Sequence, residues 1–159
     1  KDQGFHRIVI PKGSEGDNGQ LRAKVSVRNP DAFPRVVRLN FDGRVVYHNG
    51  PADVLPGISI VPTGGHSHGL QFVKVNTKRG VVVLASDVTH FYENMETYRP
   101  FSTALHVGDM LVAFDTLREH AASADLIVPG HDPLVMQRYP AVSEALKGIA
   151  VRLDVPPTA

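Results

Sequence analysis

Val81-Val82-Val83-Leu84-Ala85-Ser86-Asp87 is a run of five apolar residues that ends on a hydroxyl and a carboxylate. Five consecutive apolar side chains leave no polar face, so the run reads as a central strand covered on both sides. Just upstream, Leu70, Phe72, Val73 and Val75 make a partner strand, and Thr77-Lys78-Arg79-Gly80 is the turn between the two. Further out, Ile58-Ser59-Ile60-Val61 is an apolar strand stopped by Pro62 and introduced by the turn pair Pro56-Gly57. Val36-Val37, Leu39 and Phe41 face Val45-Val46-Tyr47 across Asp42-Gly43, which predicts a hairpin.

Downstream of the central run the period changes. Met110, Leu111, Ala113, Phe114 and Leu117 recur at three- and four-residue spacing behind Asp109, which predicts a helix of about three turns capped by that aspartate. Ala124 to Val128 reads as a short buried strand ended by Pro129-Gly130, and Pro140 opens a last helix running through Ile149. Hairpins followed by strand, helix, strand, helix predict an α/β (α+β) architecture, a mixed sheet covered by helices on at least one face. Residues 1–159 are expected to form one domain, with a flexible loop over 1–20 and a frayed tail over 154–159.

Composition narrows the function. The chain has 159 residues, 42% of them hydrophobic, and a net charge of +1. That length and content can bury a core, and the near-neutral balance argues against a nucleic-acid surface, which carries a clear basic excess. No apolar run approaches the length of a membrane span, and Lys1-Asp2-Gln3-Gly4-Phe5 lacks the basic-then-apolar order of a secretory signal. A soluble, cytoplasmic chain with neither membrane nor nucleic-acid partner is the expectation. The absence of cysteine excludes disulfides, thiolate nucleophiles and cysteine-type zinc sites. Any metal must be held by nitrogen and oxygen, and eight histidines and 16 acidic residues supply candidates.

Three polar clusters stand directly behind apolar strands: Gly64-Gly65-His66-Ser67-His68-Gly69, Ser86-Asp87-Val88-Thr89-His90, and Pro129-Gly130-His131-Asp132-Pro133. Strand ends that feed glycine-flanked loops let a rigid sheet aim imidazole and carboxylate groups at one point. Neutral imidazole and carboxylate oxygen suit borderline divalent metals, which makes His66, Asp87 and His131 a candidate ligand set. Asp132 is expected to cap the turn that follows it.

In the same order, Gly65-His66-Ser67-His68-Gly69-Leu70-Gln71, Val82-Val83-Leu84-Ala85-Ser86-Asp87 and Val128-Pro129-Gly130-His131-Asp132 resemble the later motifs of the metallo-β-lactamase superfamily. They are most similar to its N-acyl homoserine lactonase branch, and the likeness runs from about Ile58 to Pro140. The resemblance implies the C-terminal half of an αββα sandwich with two divalent metal ions, zinc the first choice, at the edge of its sheets. By position His66 would bind one metal, Asp87 would bridge both, and His131 would bind the second. The implied reaction is attack of a metal-bridging hydroxide on the carbonyl of a small-molecule lactone, of the N-acyl homoserine lactone kind, or of a related ester. Bacterial quorum quenching is the corresponding process.

The family often places a tyrosine three residues beyond the bridging aspartate to polarise the substrate carbonyl. That position is His90 here, so Asp87 and His90 are the implied catalytic residues, an imidazole replacing a phenol as hydrogen-bond donor. Phe91, Phe101 and His106 join His90 as candidate substrate-binding residues. The superfamily's principal signature, His-x-His-x-Asp-His, does not occur in this chain. The chain is therefore expected to act with an N-terminal half, a separate chain or a missing segment, and a homodimer is the other assembly this reading allows. Two alternatives accompany it: another hydrolase of the same fold, acting on a β-lactam, thioester or aryl ester, and a non-catalytic domain that lost its first metal motif.

Overall fold

The structure, a computed structural model, describes residues 7–9, 24–26 and 32–158. The chain divides into two compact units, residues 1–47 and 48–159. In the first unit, β1 (Arg7–Val9) pairs antiparallel with β2 (Lys24–Ser26), and α1 spans Ala32–Phe41. The rest of the loop expected at 1–20 lies outside the described residues.

Helix α1 replaces the first strand of the hairpin expected between Val36 and Tyr47. Pro34 falls in its first turn, where proline costs no helical hydrogen bond. Asp42-Gly43 closes the helix instead of turning a hairpin: Gly43 adopts φ +66°, and the amides of Asp42, Gly43 and Arg44 donate back to the carbonyls of Arg38, Asn40 and Leu39. A left-handed glycine serves a helix C-terminus as readily as a two-residue hairpin.

The second unit is built on a five-stranded mixed sheet in the order β3 (Ala52–Leu55), β4 (Ile58–Pro62), β5 (Gln71–Thr77), β6 (Gly80–Ser86), β7 (Ile127–Pro129). The first four strands pair antiparallel, β3–β4 and β5–β6 through tight turns at Pro56-Gly57 and Lys78-Arg79 and β4–β5 through the loop over 63–70, and β6 pairs parallel with β7. A parallel pair requires a crossover, which carries α2 (Tyr92–Glu96), α3 (Val107–His120) and a 3-10 turn at Ala124–Leu126. The pairing pattern positions the site. β4 is two antiparallel steps from β6 and so runs with it, and β7 runs parallel to both. All three therefore end at the same edge of the sheet, each feeding one of the three polar clusters.

Met110, Ala113, Phe114 and Leu117 of α3 pack on the face of the sheet carrying Val61, Phe72, Val83, Ala85 and Ile127. Their i, i+3, i+4, i+7 spacing makes one apolar stripe that meets the alternate residues of the strands. On the other face Val82 and Val128 are covered in part by Leu153 and Val135. Among the described residues no helix is long and apolar enough to cross a membrane.

Three further elements differ from expectation. The strand read over Ala124 to Val128 begins as a 3-10 turn and becomes β7 only at Ile127. A short helix α4 (Leu134–Arg138) precedes Pro140, and no helix follows to Ile149. That segment holds a 3-10 turn at Glu144–Leu146 and an Ala141–Val151 bridge, and Gly148 at φ +76° is incompatible with a continuous helix. The segment from 154, expected to fray, is tied down as far as Thr158. The Arg79 guanidinium donates to the carbonyls of Leu153 and Val155, and the Thr158 amide and hydroxyl donate to the carbonyl of Arg138.

Candidate metal centre

Each strand end is locked to its neighbour before any side chain is considered. Gly130 and His131 donate their amides to the carbonyls of Thr89 and His90, at 3.0 Å in both cases. The buried Asp132 carboxylate accepts from the amides of Tyr92 and Leu134, each at 2.9 Å: it caps the turn that follows it, as expected, and also holds the first amide of α2. The loop after β4 is pinned to α3: the carbonyl of Gly65 accepts the amides of Leu105 and His106, each at 2.9 Å. A Cβ on Gly65 would stand 2.7 Å from Met110 Cγ, so only glycine lets the loop lie this close to the helix.

On this frame His66, Asp87, His90 and His131 converge. The Asp87 carboxylate is the hub. Its Oδ1 lies 2.6 Å from His131 Nε2 and 3.3 Å from His90 Nε2, and its Oδ2 lies 4.0 Å from His66 Nε2. The donor atoms of Asp87, His90 and His131 all lie within 4.8 Å of one another. His66, expected in the ligand set, stands outside this tight trio but on the same carboxylate, at its other oxygen. His90, expected to face substrate, is inside the trio.

His66 is oriented by a group that sequence reasoning missed. Its Nδ1 lies 3.0 Å from the carbonyl of Thr103, and a carbonyl only accepts, so Nδ1 carries a proton and Nε2 is the nitrogen turned toward Asp87. The His90 ring lies flat on Phe101, with centroids 3.4 Å apart and planes 8° apart, and its centroid is 4.5 Å from that of His131. Burial first, and then the neighbouring His131 and His66, hold the His90 imidazolium below its ordinary range against the opposing pull of Asp87. Neutral His90 therefore prevails at neutral pH, the form that can ligate a metal.

Of the other expected substrate contacts, Phe101 belongs to the centre through its stack, and its ring centroid is 5.3 Å from that of His66. Phe91 is exposed beside His90. His106 plays a structural part. It is the residue that caps α3, its Nδ1 accepting the Asp109 amide at 3.0 Å, in place of the Asp109 cap expected from the sequence. The donor set passes the chemical test for a divalent ion of the zinc class. It offers an imidazole whose Nδ1 is held by a backbone carbonyl, two more imidazoles, and a carboxylate whose two oxygens face different partners.

No family model matches the chain, and no curated protein matches it significantly. Among solved structures it is similar to an N-acyl homoserine lactone hydrolase with the product N-hexanoyl-L-homoserine bound at the catalytic metal centre. Identity there is 29% and the TM-score 0.52, over 57% of this chain and 36% of that one. The fold also matches a probable metal-dependent hydrolase from Staphylococcus aureus, with 13% identity and a TM-score of 0.51 over 63% of this chain and 35% of that one. A third likeness is to AidC, a dizinc quorum-quenching lactonase, with 11% identity and a TM-score of 0.50 over 65% of this chain and 36% of that one. The chain thus spans about a third of the length of the structures it matches. Its mixed five-stranded sheet and helices form part of a metallo-β-lactamase-like fold, shared with N-acyl homoserine lactonases and a metal-dependent hydrolase.

Proposed function

We propose that this chain is the C-terminal part of a metal-dependent hydrolase that opens a lactone of the N-acyl homoserine type, or a related ester. One observation carries the reading: a single carboxylate, Asp87, presents one oxygen to His131 and His90 and the other to His66, where three strands end together. His66, Asp87 and His131 would hold two divalent ions, zinc the first choice, with Asp87 between them. Two such cations supply Lewis acidity and lower the pKa of bound water. The chain's own residues do the positioning: the Thr103 carbonyl holds His66 Nδ1, and the Asp132 carboxylate fixes the loop that carries His131. His90 belongs to the reacting centre, and Phe91 and Phe101 offer apolar surface beside it for a ring or acyl chain.

The remaining ligands and part of the pocket would come from an N-terminal portion, present as a separate chain or as a segment of a longer protein. Bacterial quorum quenching in the cytoplasm is the corresponding role. The test offers acyl-homoserine lactone, β-lactam and thioester in parallel to this chain combined with its N-terminal portion. Lactone opening that a chelator removes and zinc restores is the expected result. Faster β-lactam or thioester turnover would reassign the substrate, and silence toward all three with no bound metal would leave a non-catalytic domain. Asp87→Ala is expected to lower both metal affinity and turnover at least about a hundredfold; unchanged metal stoichiometry would remove Asp87 from the ligand set.

A further inference from the structure

We propose that His90 is itself a metal ligand, closing with Asp87 and His131 a three-donor site for one divalent cation. The inference rests on the metal-dependent reading of the same centre and changes one assignment in it, because a ring nitrogen committed to a cation cannot also donate to a substrate carbonyl. Three observations lead to it.

The first is distance. Zinc holds nitrogen and oxygen donors at about 2.0–2.2 Å, so neighbouring donors in a tetrahedral shell stand about 3.3 Å apart. His90 Nε2 and Asp87 Oδ1 are 3.3 Å apart, whereas His66 Nε2 is 4.0 Å from the nearer carboxylate oxygen. The only three-donor group among the described residues whose ligating atoms lie within 4.8 Å of one another contains His90 and omits His66.

The second is direction. His90 Nε2 is aimed at the same oxygen, Oδ1, that His131 Nε2 approaches. Both imidazoles therefore serve one side of the carboxylate, and His66 has the other side to itself. A carboxylate with two imidazoles on one oxygen and one on the other divides its surroundings into two unequal coordination sites. His90 is what makes the larger of them a three-donor site.

The third is rigidity. Phe101 stacks on the His90 ring with planes 8° apart, and the His90 carbonyl accepts the His131 amide at 3.0 Å. The ring is held in plane by one contact, and its backbone is held in step with its fellow donor by the other. A ligand needs this preorganisation. A side chain meant to follow a substrate carbonyl would be served by freedom to swing.

The experiment titrates the full chain, labelled with nitrogen-15 on its histidine rings, with Cd2+ of a spin-half isotope. One-bond coupling between cadmium and Nε2 of both His90 and His131 is the expected result. His90→Ala and His90→Gln are expected to weaken Cd2+ binding more than tenfold, with circular dichroism confirming that each variant is folded. Phe101→Leu keeps the imidazole and removes its stack, and should retain the coupling while weakening Cd2+ binding less than either His90 variant does. Coupling at His131 or His66 without His90, with affinity unchanged in both His90 variants, overturns the proposal and leaves the metal reading intact. Absence of coupling at every histidine overturns the metal reading as well.

Discussion

Gly130 shows why the centre tolerates so little change at a single residue. A Cβ there would stand 2.6 Å from the Ser86 carbonyl oxygen and 2.8 Å from its carbon, both backbone atoms, so one strand end would have to move. Ser86 has little room to yield: it already sits at φ +50°, a left-handed conformation that strains a residue with a side chain. Gly130→Ala is therefore expected to cost about 1–3 kcal/mol and, by pushing His131 away from Asp87, to weaken metal binding more than tenfold. Thermal unfolding and competition with a metal indicator check the two effects, and full metal affinity in the variant would show that the strand ends tolerate separation. That His66, Asp87 and His131 come together was legible in the sequence because each is a chemically marked residue directly behind an apolar strand, the two histidines in glycine-flanked loops. The orienting group on His66 was not, because a backbone carbonyl such as that of Thr103 has no letter of its own. The place of His90 was half legible: its nearness to the site follows from its three-residue distance from Asp87, but the oxygen it faces depends on the orientation of a ring that stacks on Phe101, a contact eleven residues away in sequence.

At the scale of elements, periodicity found what packing against the core decides and misread what a turn residue leaves open. The strands around Val81–Ala85 and the stripe of α3 were legible because apolar spacing alone fixes which face is buried. Asp42-Gly43 was ambiguous because a glycine at positive φ closes helices and hairpins alike, and the Pro140 helix does not start, because Ala141 bridges Val151 and Ser143 is extended at φ −158°. The C-terminal segment was misread for a different reason: its anchor lies far away in sequence. The Arg79 side chain, 6% exposed, donates to the carbonyls of Asp125, Leu153 and Val155 and to the Tyr139 hydroxyl, joining the β5–β6 turn to the chain end. Arg79→Met keeps the aliphatic stem and removes every donor, stranding several acceptors. A loss of about 2–4 kcal/mol is expected, read from the urea midpoint. β6 is seven residues long, about 20 Å, and Arg79 stands at its far end from Asp87, so metal affinity should not change. A coupled fall in metal affinity would mean that the C-terminal segment supports the site through the sheet.

The whole second unit acts as a device for bringing distant donors together. His66, Asp87 and His131 lie on three different connections, and only the shared direction of β4, β6 and β7 places them at one edge. That arrangement was legible in outline from the order of the three motifs, whereas the short helices α2, on the crossover, and α4, after β7, were not, since both are too brief to show a period. The dependence on strand direction has a thermodynamic consequence. An unfolded chain cannot hold these donors together, so the free energy of metal binding adds to that of folding. At a free Zn2+ concentration one hundred times the dissociation constant the gain is about 2.7 kcal/mol, which for a chain of this length is a rise in Tm of about 5–10 °C. Scanning calorimetry with and without Zn2+ is expected to show that rise in the native chain and none in Asp87→Ala, where the hub of the donor set is gone. An equal rise in both would place the stabilising ion away from Asp87, and no rise in either would mean that the three strand ends converge without binding a cation.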